Sequence, residues 1–525
     1  LHKNIKLFIL SIIVPLYFYG CGIITPKVQR ENGIIESSER DSSILKYFSY
    51  RGINLSNSSA FYSLDDPKDA FASRLFLVDH AKKSIDIQYY IYENDKTGLF
   101  FSYRLLKAAD RGVKIRILLD DLASSGLDRE WRSLSEHKNI ELRLFNPNRL
   151  RSSFRNLGLL FNIDSLGKRM HNKALIVDGS VAIVGGRNIG DVYFAADDDT
   201  LFFDYDILSI GKIVPEISAQ FNLYWSSRQA VPAKRLLEGR FSKKEMRKKS
   251  KIFQNNIDTF TRSSFAKAVE NSDFYQKVFN HGIKFSRADE ARLYYDYPEK
   301  VATSEDDPRT HLSSRVKDAF DHIEKELTII SPYFIPGKAM IESFKNMRAR
   351  GVKITVVTNS LASTDVFAVY SGYRWHIKSL LDIGVDLYEL KPQTLKGRTR
   401  SKKWLKANRA SLHTKMMVID DYRLIVGSAN IDPRSIKLNT ELLLVIDSKK
   451  IAKRKQEILD DLINKENFYK LSWGAYPLEE EDQGMPIYGP IWMDRDRLYY
   501  SPPNSSYFRT LGTDILSILP IEGYL

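Results

Sequence analysis

Met170-His171-Asn172-Lys173-Ala174-Leu175-Ile176-Val177-Asp178, followed by Gly185-Gly186-Arg187-Asn188, has a second copy far down the chain. That copy is Leu412-His413-Thr414-Lys415-Met416-Met417-Val418-Ile419-Asp420, followed by Gly427-Ser428-Ala429-Asn430. In each, His and Lys flank one residue and an Asp stands five positions after the Lys. The tripeptide His-x-Lys is cheap: it also occurs at His80 and His376, where the next Asp (Asp86, Asp382) comes one residue too early and no Gly-x-x-Asn follows. A lone His-x-Lys is ordinarily a surface pair. Two complete copies, each with an apolar run and a downstream Gly-x-x-Asn, reverse that reading. Two histidines and two lysines together offer a nucleophile, an acid and a cradle for phosphate.

The surroundings repeat as well, and this decides the fold. Arg111-Gly112-Val113-Lys114-Ile115 recurs as Arg350-Gly351-Val352-Lys353-Ile354, and each copy enters an apolar strand (Ile115–Leu119, Ile354–Val357). Strands Ile85–Ile91 and Leu327–Phe334 precede them, strands Glu141–Phe145 and Val385–Leu390 follow, and helical patterns Phe100–Asp110 and Met340–Arg350 lie between. Strand, helix, strand is a βαβ unit. The sequence therefore predicts an α/β protein of two duplicated lobes, each a mixed β-sheet flanked by helices, with the active site between them. On a strand, His and Lys two apart share a face. Each motif can thus present both to one cleft, and the glycines of Gly185-Gly186 and Gly427-Ser428 let backbone approach it.

The residues permit a definite chemistry. A phosphodiester is an anion and a poor electrophile. A neutral imidazole can attack phosphorus and split one hard step into two through a phosphohistidine. A second, protonated histidine can give the leaving alkoxide its proton and later deprotonate the incoming alcohol or water. Lys173 and Lys415 would hold the non-bridging oxygens, and Asn188 and Asn430 would add neutral donors to the same oxygens. No metal is called for: the histidines are not in H-E-x-x-H spacing and there is no Cys cluster. No Walker A loop or Rossmann fingerprint appears, so no nucleotide cofactor is expected either.

At these residues the chain resembles the phospholipase D superfamily, whose signature is a pair of His-x-Lys-x4-Asp motifs, and within it the bacterial cardiolipin synthase C type. Matching stretches outside the motifs include Gln88-Tyr89-Tyr90-Ile91, Leu144-Phe145-Asn146-Pro147, Thr358-Asn359-Ser360-Leu361-Ala362, Asp432-Pro433-Arg434-Ser435 and the tail Ser517-Ile518-Leu519-Pro520. The resemblance implies His171 as nucleophile and His413 as acid and base. It also implies a carboxylate from outside the motif to orient each histidine, matched by Asp204 in the first half and Glu441 in the second. Asp178 and Asp420 complete the catalytic motifs, with an expected structural part in holding the loop after the strand; Asp421, where the pattern often has Gly, is expected to matter little at a turn. The implied reaction is phosphatidyl transfer forming cardiolipin, with phosphatidylglycerol as acceptor and phosphatidylethanolamine as donor. The alternatives are a phospholipase D yielding phosphatidic acid, a nuclease of the same superfamily, and a catalytically dead lipid-binding scaffold, against which the intact His and Lys residues argue.

Length and composition set the frame. The 525 residues exceed one ordinary core, and 43% hydrophobic residues supply two. The predicted division is a signal or lipoprotein-type segment at 1–21, a linker at 22–60, the first lobe at 61–239, a charged connection without a repeat partner at 240–299, and the second lobe at 300–525. The net charge of +14 favours an anionic partner, and basic clusters lie at Lys243–Lys251 and Lys396–Arg409. Lys3 and Lys6, an apolar run from Leu7 to Tyr19, and Gly20-Cys21 read as a signal segment with Cys21, the only cysteine, as lipidation site; Phe18 and Tyr19 depart from the usual residues there, and an uncleaved anchor is the alternative. The expected place is a bacterial cell envelope, membrane-associated, lipid-anchored and facing the periplasm. The expected partners are anionic and zwitterionic phospholipids and a membrane surface, not nucleic acid.

Overall fold

The computed structural model describes residues 43–518 except 51, 123–125, 149–166, 198, 238–241, 243, 246–254, 281, 305–306, 321, 393–408, 465–466 and 478–485. Cys21, most of the Lys243–Lys251 cluster, the Lys396–Arg409 insert before Arg409, and Leu519-Pro520 lie outside the described residues.

Each Arg-Gly-Val-Lys-Ile stretch is a helix stop, a turn and a strand start in five residues. The helix Lys96–Asp110 begins at Asp95, whose side chain accepts from the Gly98 N–H, and ends where Gly112 takes φ +97°. There the Gly112 and Val113 N–H groups close back on the carbonyls of Ala109 and Ala108. Only glycine adopts that conformation without a Cβ penalty. Val113 is then buried, and the chain enters the strand Lys114–Asp120. The second copy repeats this: helix Lys338–Ala349, Gly351 at φ +86°, Val352 fully buried, strand Lys353–Asn359.

Two large mixed sheets result. In the first, Ile140–Phe145, Lys114–Asp120 and Ser84–Tyr89 run parallel; then come the motif hairpin Ala174–Val177 and Val181–Gly185, then Asp206–Gly211, Ser59–Leu64 and Ser286–Arg287, all antiparallel to their neighbours. The second runs Asp386–Leu390, Lys353–Asn359, Glu326–Ile330, the hairpin Met416–Ile419 and Arg423–Gly427, Leu442–Asp447 and Glu290–Tyr295 in the same order and sense. The sheets face each other. Along the motif strands Ala174 and Ile176 join Met416 and Val418 in a core between the lobes, while Leu175 and Val177, and Ile419, face the outer cores under the helices. Alternation on a strand buried on both faces produces this layering.

The expected boundaries shift at two places. The strand Glu290–Tyr295 pairs with Leu442–Asp447 as Ser59–Leu64 pairs with Asp206–Gly211, so the end of the connection does have a repeat partner and the second lobe begins before residue 300. Within 22–60, Ile44 and Phe48 are buried in the first lobe's core and Phe48–Ser49 pairs with Ile283–Lys284, so these residues belong to the lobe rather than to a linker.

Candidate active site at the lobe interface

Each lobe lends the other a strand and an acid. The segment before His413 (Arg409–Leu412) runs parallel to Thr200–Phe203, and the His413 N–H donates to the Phe203 carbonyl at 2.7 Å. The next residue after Phe203 is Asp204, whose Oδ2 lies 2.6 Å from His413 Nδ1. Reciprocally, Met170 bridges Thr440, the His171 N–H donates to the Thr440 carbonyl, and the next residue, Glu441, meets His171 Nδ1 at 2.9 and 3.0 Å. Asp204 and Glu441 therefore pair with histidines across the interface, each with the motif of the opposite half. With Nδ1 turned to a carboxylate, Nε2 is the nitrogen left for chemistry.

Lys173 and Lys415 fold back, each Nζ donating to the carbonyl of its own motif histidine, at 2.6 and 2.5 Å. Both are buried. Burial pulls the Lys173 ammonium down to about 7, with Lys415 adding to the fall against the pull of Glu441; burial lowers Lys415 too. Burial, then Lys173, Lys415 and His413, hold His171 well below the usual histidine value. His413 is lowered by burial and Lys415, against the pull of Asp204. The crossed strands and acids bring both motifs to one candidate site. The two acids differ. Burial pushes Glu441 up to about 7. Burial also acts to raise Asp204, but His413, Lys415 and Arg187 outweigh it and leave this carboxylate below its ordinary value.

The family described as cardiolipin synthase, PLD-like domain matches residues 76–225 and 316–463, one match for each lobe. The chain is 36% identical to cardiolipin synthase C of Escherichia coli over 88% of its own length and 96% of the relative's. The chain belongs to the phospholipase D-like cardiolipin synthase family. It is an enzyme of the phospholipase D phosphatidyltransferase type. A Helicobacter pylori protein described as uncharacterized is 35% identical over 87% of this chain and 89% of that one. The crystal structure of phosphatidylserine synthase from Haemophilus influenzae covers 79% of this chain and 90% of that one with a TM-score of 0.53; at 13% identity this likeness concerns the fold alone.

Within this family frame, the other expected residues divide. Asn188 is held at both ends of its amide: its Oδ1 accepts from the Ile91 N–H and its Nδ2 donates to Tyr193 Oη. Asn430 is less bound, its buried Oδ1 having no hydrogen-bond partner among the described residues. Asp178 and Asp420 do not reach the histidines. Asp178 accepts from the N–H groups of Lys82, Lys83 and Ser84, and Asp420 from those of Glu324, Lys325 and Glu326. Each thus ties its hairpin turn to the start of the neighbouring first strand, a structural part. Asp421 takes φ +55° where Gly179 takes +59° in the first copy. The glycines approach the acid-bearing strands more than the cleft itself. A Cβ on Gly186 would lie 2.2 Å from Asp204 Oδ1, and one on Gly427 would lie 2.1 Å from the Leu442 carbonyl.

Several further residues take a part in the site that the motif pattern did not assign to them. Ser428 and Ser435 donate to Glu441, which leaves this acid fully engaged. Asp120 Oδ2 accepts from the Met170 N–H and pairs with Arg169; at the matching place Asn359 bonds both the N–H and the carbonyl of Leu412. Both stand at the ends of the strands that follow Arg-Gly-Val-Lys-Ile, so aligning the two repeats would have marked them. Phe202 stacks on His413 with its ring 5.3 Å away, Tyr193 meets it edge-on, and Tyr90 meets His171 edge-on at 5.0 Å.

Proposed function

We propose that this chain makes cardiolipin by phosphatidyl transfer through a phosphohistidine. The observation that carries the reading is a pair of motif histidines, each with Nδ1 on a buried carboxylate brought by the opposite lobe: His171 on Glu441 and His413 on Asp204. A histidine kept neutral by burial suits attack. His171 Nε2 bonds to the phosphorus of the donor, and the phosphorus–oxygen bond to the headgroup breaks. His413, its imidazolium stabilised by the ionised Asp204, hands its proton to the departing headgroup alkoxide. A glycerol hydroxyl of phosphatidylglycerol then gives its proton back to His413 and attacks phosphorus, releasing His171. Lys173 and Lys415 balance the charge on the non-bridging oxygens, and Asn430 adds a neutral donor to them. Phosphatidylethanolamine is the proposed donor. The rings of Phe202, Tyr193 and Tyr90 around the imidazoles support transfer over hydrolysis, since they occupy space that water would otherwise fill.

The proposed setting is the bacterial envelope. Among the described residues no helix is long and apolar enough to cross a membrane. Attachment through Cys21 is proposed, and mass spectrometry of the mature N-terminus tests it: residues still preceding an unmodified Cys21 would rule it out.

The deciding experiment gives the purified protein phosphatidylglycerol with and without phosphatidylethanolamine in mixed micelles. Cardiolipin should form, its yield rising with acceptor, and protein quenched rapidly in neutral denaturant, where a phosphohistidine survives, should carry a phosphatidyl group on His171. Phosphatidic acid as sole product in every mixture would establish the hydrolase instead, and label found only on His413 would reverse the histidine roles.

A further inference from the structure

We propose that an apolar face beside the site mouth, built from Phe367, Trp375 and one side of the helix Tyr507–Ile518, rests in the interface of a phospholipid membrane. The inference rests on the lipid-transfer reading above and names the surface that would deliver the substrate.

The two parts of the face are neighbours, because the helix packs against the stretch that carries Phe367 and Trp375. Along the helix Phe508, Leu511 and Ile515 recur at helical spacing and are exposed, with Tyr507 beside them; Phe508 is 83% exposed. The opposite side is seated on the second lobe. Thr513 is buried, Asp514 pairs with Arg374, and the Ser517 carbonyl accepts from Trp375 Nε1. A Cβ on Gly512 would touch Phe367 at 3.5 Å. Trp375 is itself 62% exposed. Single exposed apolar residues need no explanation, but an apolar helix face joined to an exposed Trp and Phe does.

The face leads into the catalytic centre. Phe367 lies two residues after Asp365, which accepts from Tyr333 Oη and whose charge reaches His413 and Lys415. The carbonyl of Thr364, just before Asp365, receives the guanidinium of Arg509 from the helix and that of Arg409 from the strand entering His413. Among the described residues neither arginine pairs with a carboxylate, and Arg509 Nε is buried without a hydrogen-bond partner. Two cations with spare donors stand between an aromatic apolar face and the phosphate site. That order, apolar then cationic then catalytic, matches a phospholipid entering headgroup first. Tyr, Trp and Phe next to arginine suit the level of lipid headgroups. The occupant is therefore a bilayer surface rather than another protein.

Two measurements on the full chain test this. First, Trp is placed on the face (Phe508→Trp) or on the first lobe at another exposed ring (Phe279→Trp), and each protein is mixed with vesicles of phosphatidylglycerol and phosphatidylethanolamine containing bromolipid. Emission above the unsubstituted background should be quenched for Phe508→Trp and not for Phe279→Trp. This readout does not depend on turnover, so quenching without cardiolipin formation would remove the transferase reading and keep the membrane face. Cardiolipin formation without that quenching would overturn the face. Blue-shifted, unquenched emission already present without vesicles would also overturn it and mean that the chain's own residues cover the helix. Second, the triple variant Phe508→Glu, Leu511→Glu, Ile515→Glu should lose roughly a hundredfold or more in turnover of vesicle lipid while keeping turnover of short-chain lipid dispersed as monomers. Equal loss on both substrates, or loss on neither, would overturn the proposal.

Discussion

Asp204 and Glu441 hold equivalent places, yet their surroundings make them different acids. Asp204 sits against Gly186, with room for one carboxylate and with Arg187 close by, whose Nη2 donates to the Asp204 carbonyl. Glu441 accepts from Ser428, the counterpart of Gly186, and from Ser435. Replacing Asp204 by Asn removes the charge that supports protonated His413, so turnover should fall roughly 10²- to 10⁴-fold. Glu441→Gln should cost less at neutral pH, because Glu441, pushed up to about 7, is already partly neutral there. Steady-state rates of the two variants side by side check this, and equal losses would deny the asymmetry any part in catalysis. The lysines and histidines set the pH range. Lys173, lowered to about 7, loses its charge as pH rises through that value, and the phosphate cradle weakens. His171, held well below its usual value, stays neutral into mildly acid solution. His413, which must carry a proton to serve as the acid, is also lowered and loses that proton no later than Lys173 does, so the pH profile of kcat/KM should already be falling by about pH 7, with its acid limb below the ordinary histidine range. A rate that keeps rising to pH 9 would contradict this.

The motif aspartates act on elements. Asp178 and Asp420 each gather three backbone N–H groups at the start of a first strand. Asp178 is buried, whereas two of the Asp420 bonds are exposed, so water can replace more of what Asp420 supplies. Asp178→Ala should cost about 3 kcal/mol of stability and Asp420→Ala roughly 1–2 kcal/mol, read from denaturation midpoints. Folded Asp420→Ala should keep most of its turnover. Asp421→Gly should stabilise by about 1 kcal/mol, because a left-handed backbone costs a residue with a Cβ and costs glycine nothing. The sequence shows these elements unevenly, for physical reasons. The Arg-Gly-Val-Lys-Ile stretches encode helix end, turn and strand locally, so both βαβ units were legible. The strands Ser59–Leu64 and Glu290–Tyr295 occupy matching places but share little pattern, because pairing with a neighbour, not local chemistry, defines them. The histidines and lysines were legible because catalysis restricts their chemistry. The crossing of the acids was not, since spacing along a chain says nothing about which lobe an acid faces.

At the scale of the whole molecule, the core between the sheets holds the two halves of the site together. Met170, Ile176 and Val184 pack in the same core as Met416, Val418 and Val426. His171→Ala and His413→Ala should each reduce turnover by orders of magnitude, and the double variant should be little worse than either, because the two act as a unit across that core. Additive losses in single-turnover assays would mean that the two histidines contribute independently rather than as a unit.

The crossed acids have a genetic consequence. Cut between the lobes, the polypeptide describes a pseudo-symmetric pair of subunits, each completing its mate's centre, the closed arrangement of a twofold dimer joined into one gene. Two inactive alleles, one lacking His171 and the other lacking His413, could not rescue each other within intact monomers, since each lesion spoils the only centre of its own chain. Rescue would demand that copies exchange lobes. Complementation between such alleles in one cell therefore reports whether this chain trades halves with its neighbours, a question that neither lobe answers alone.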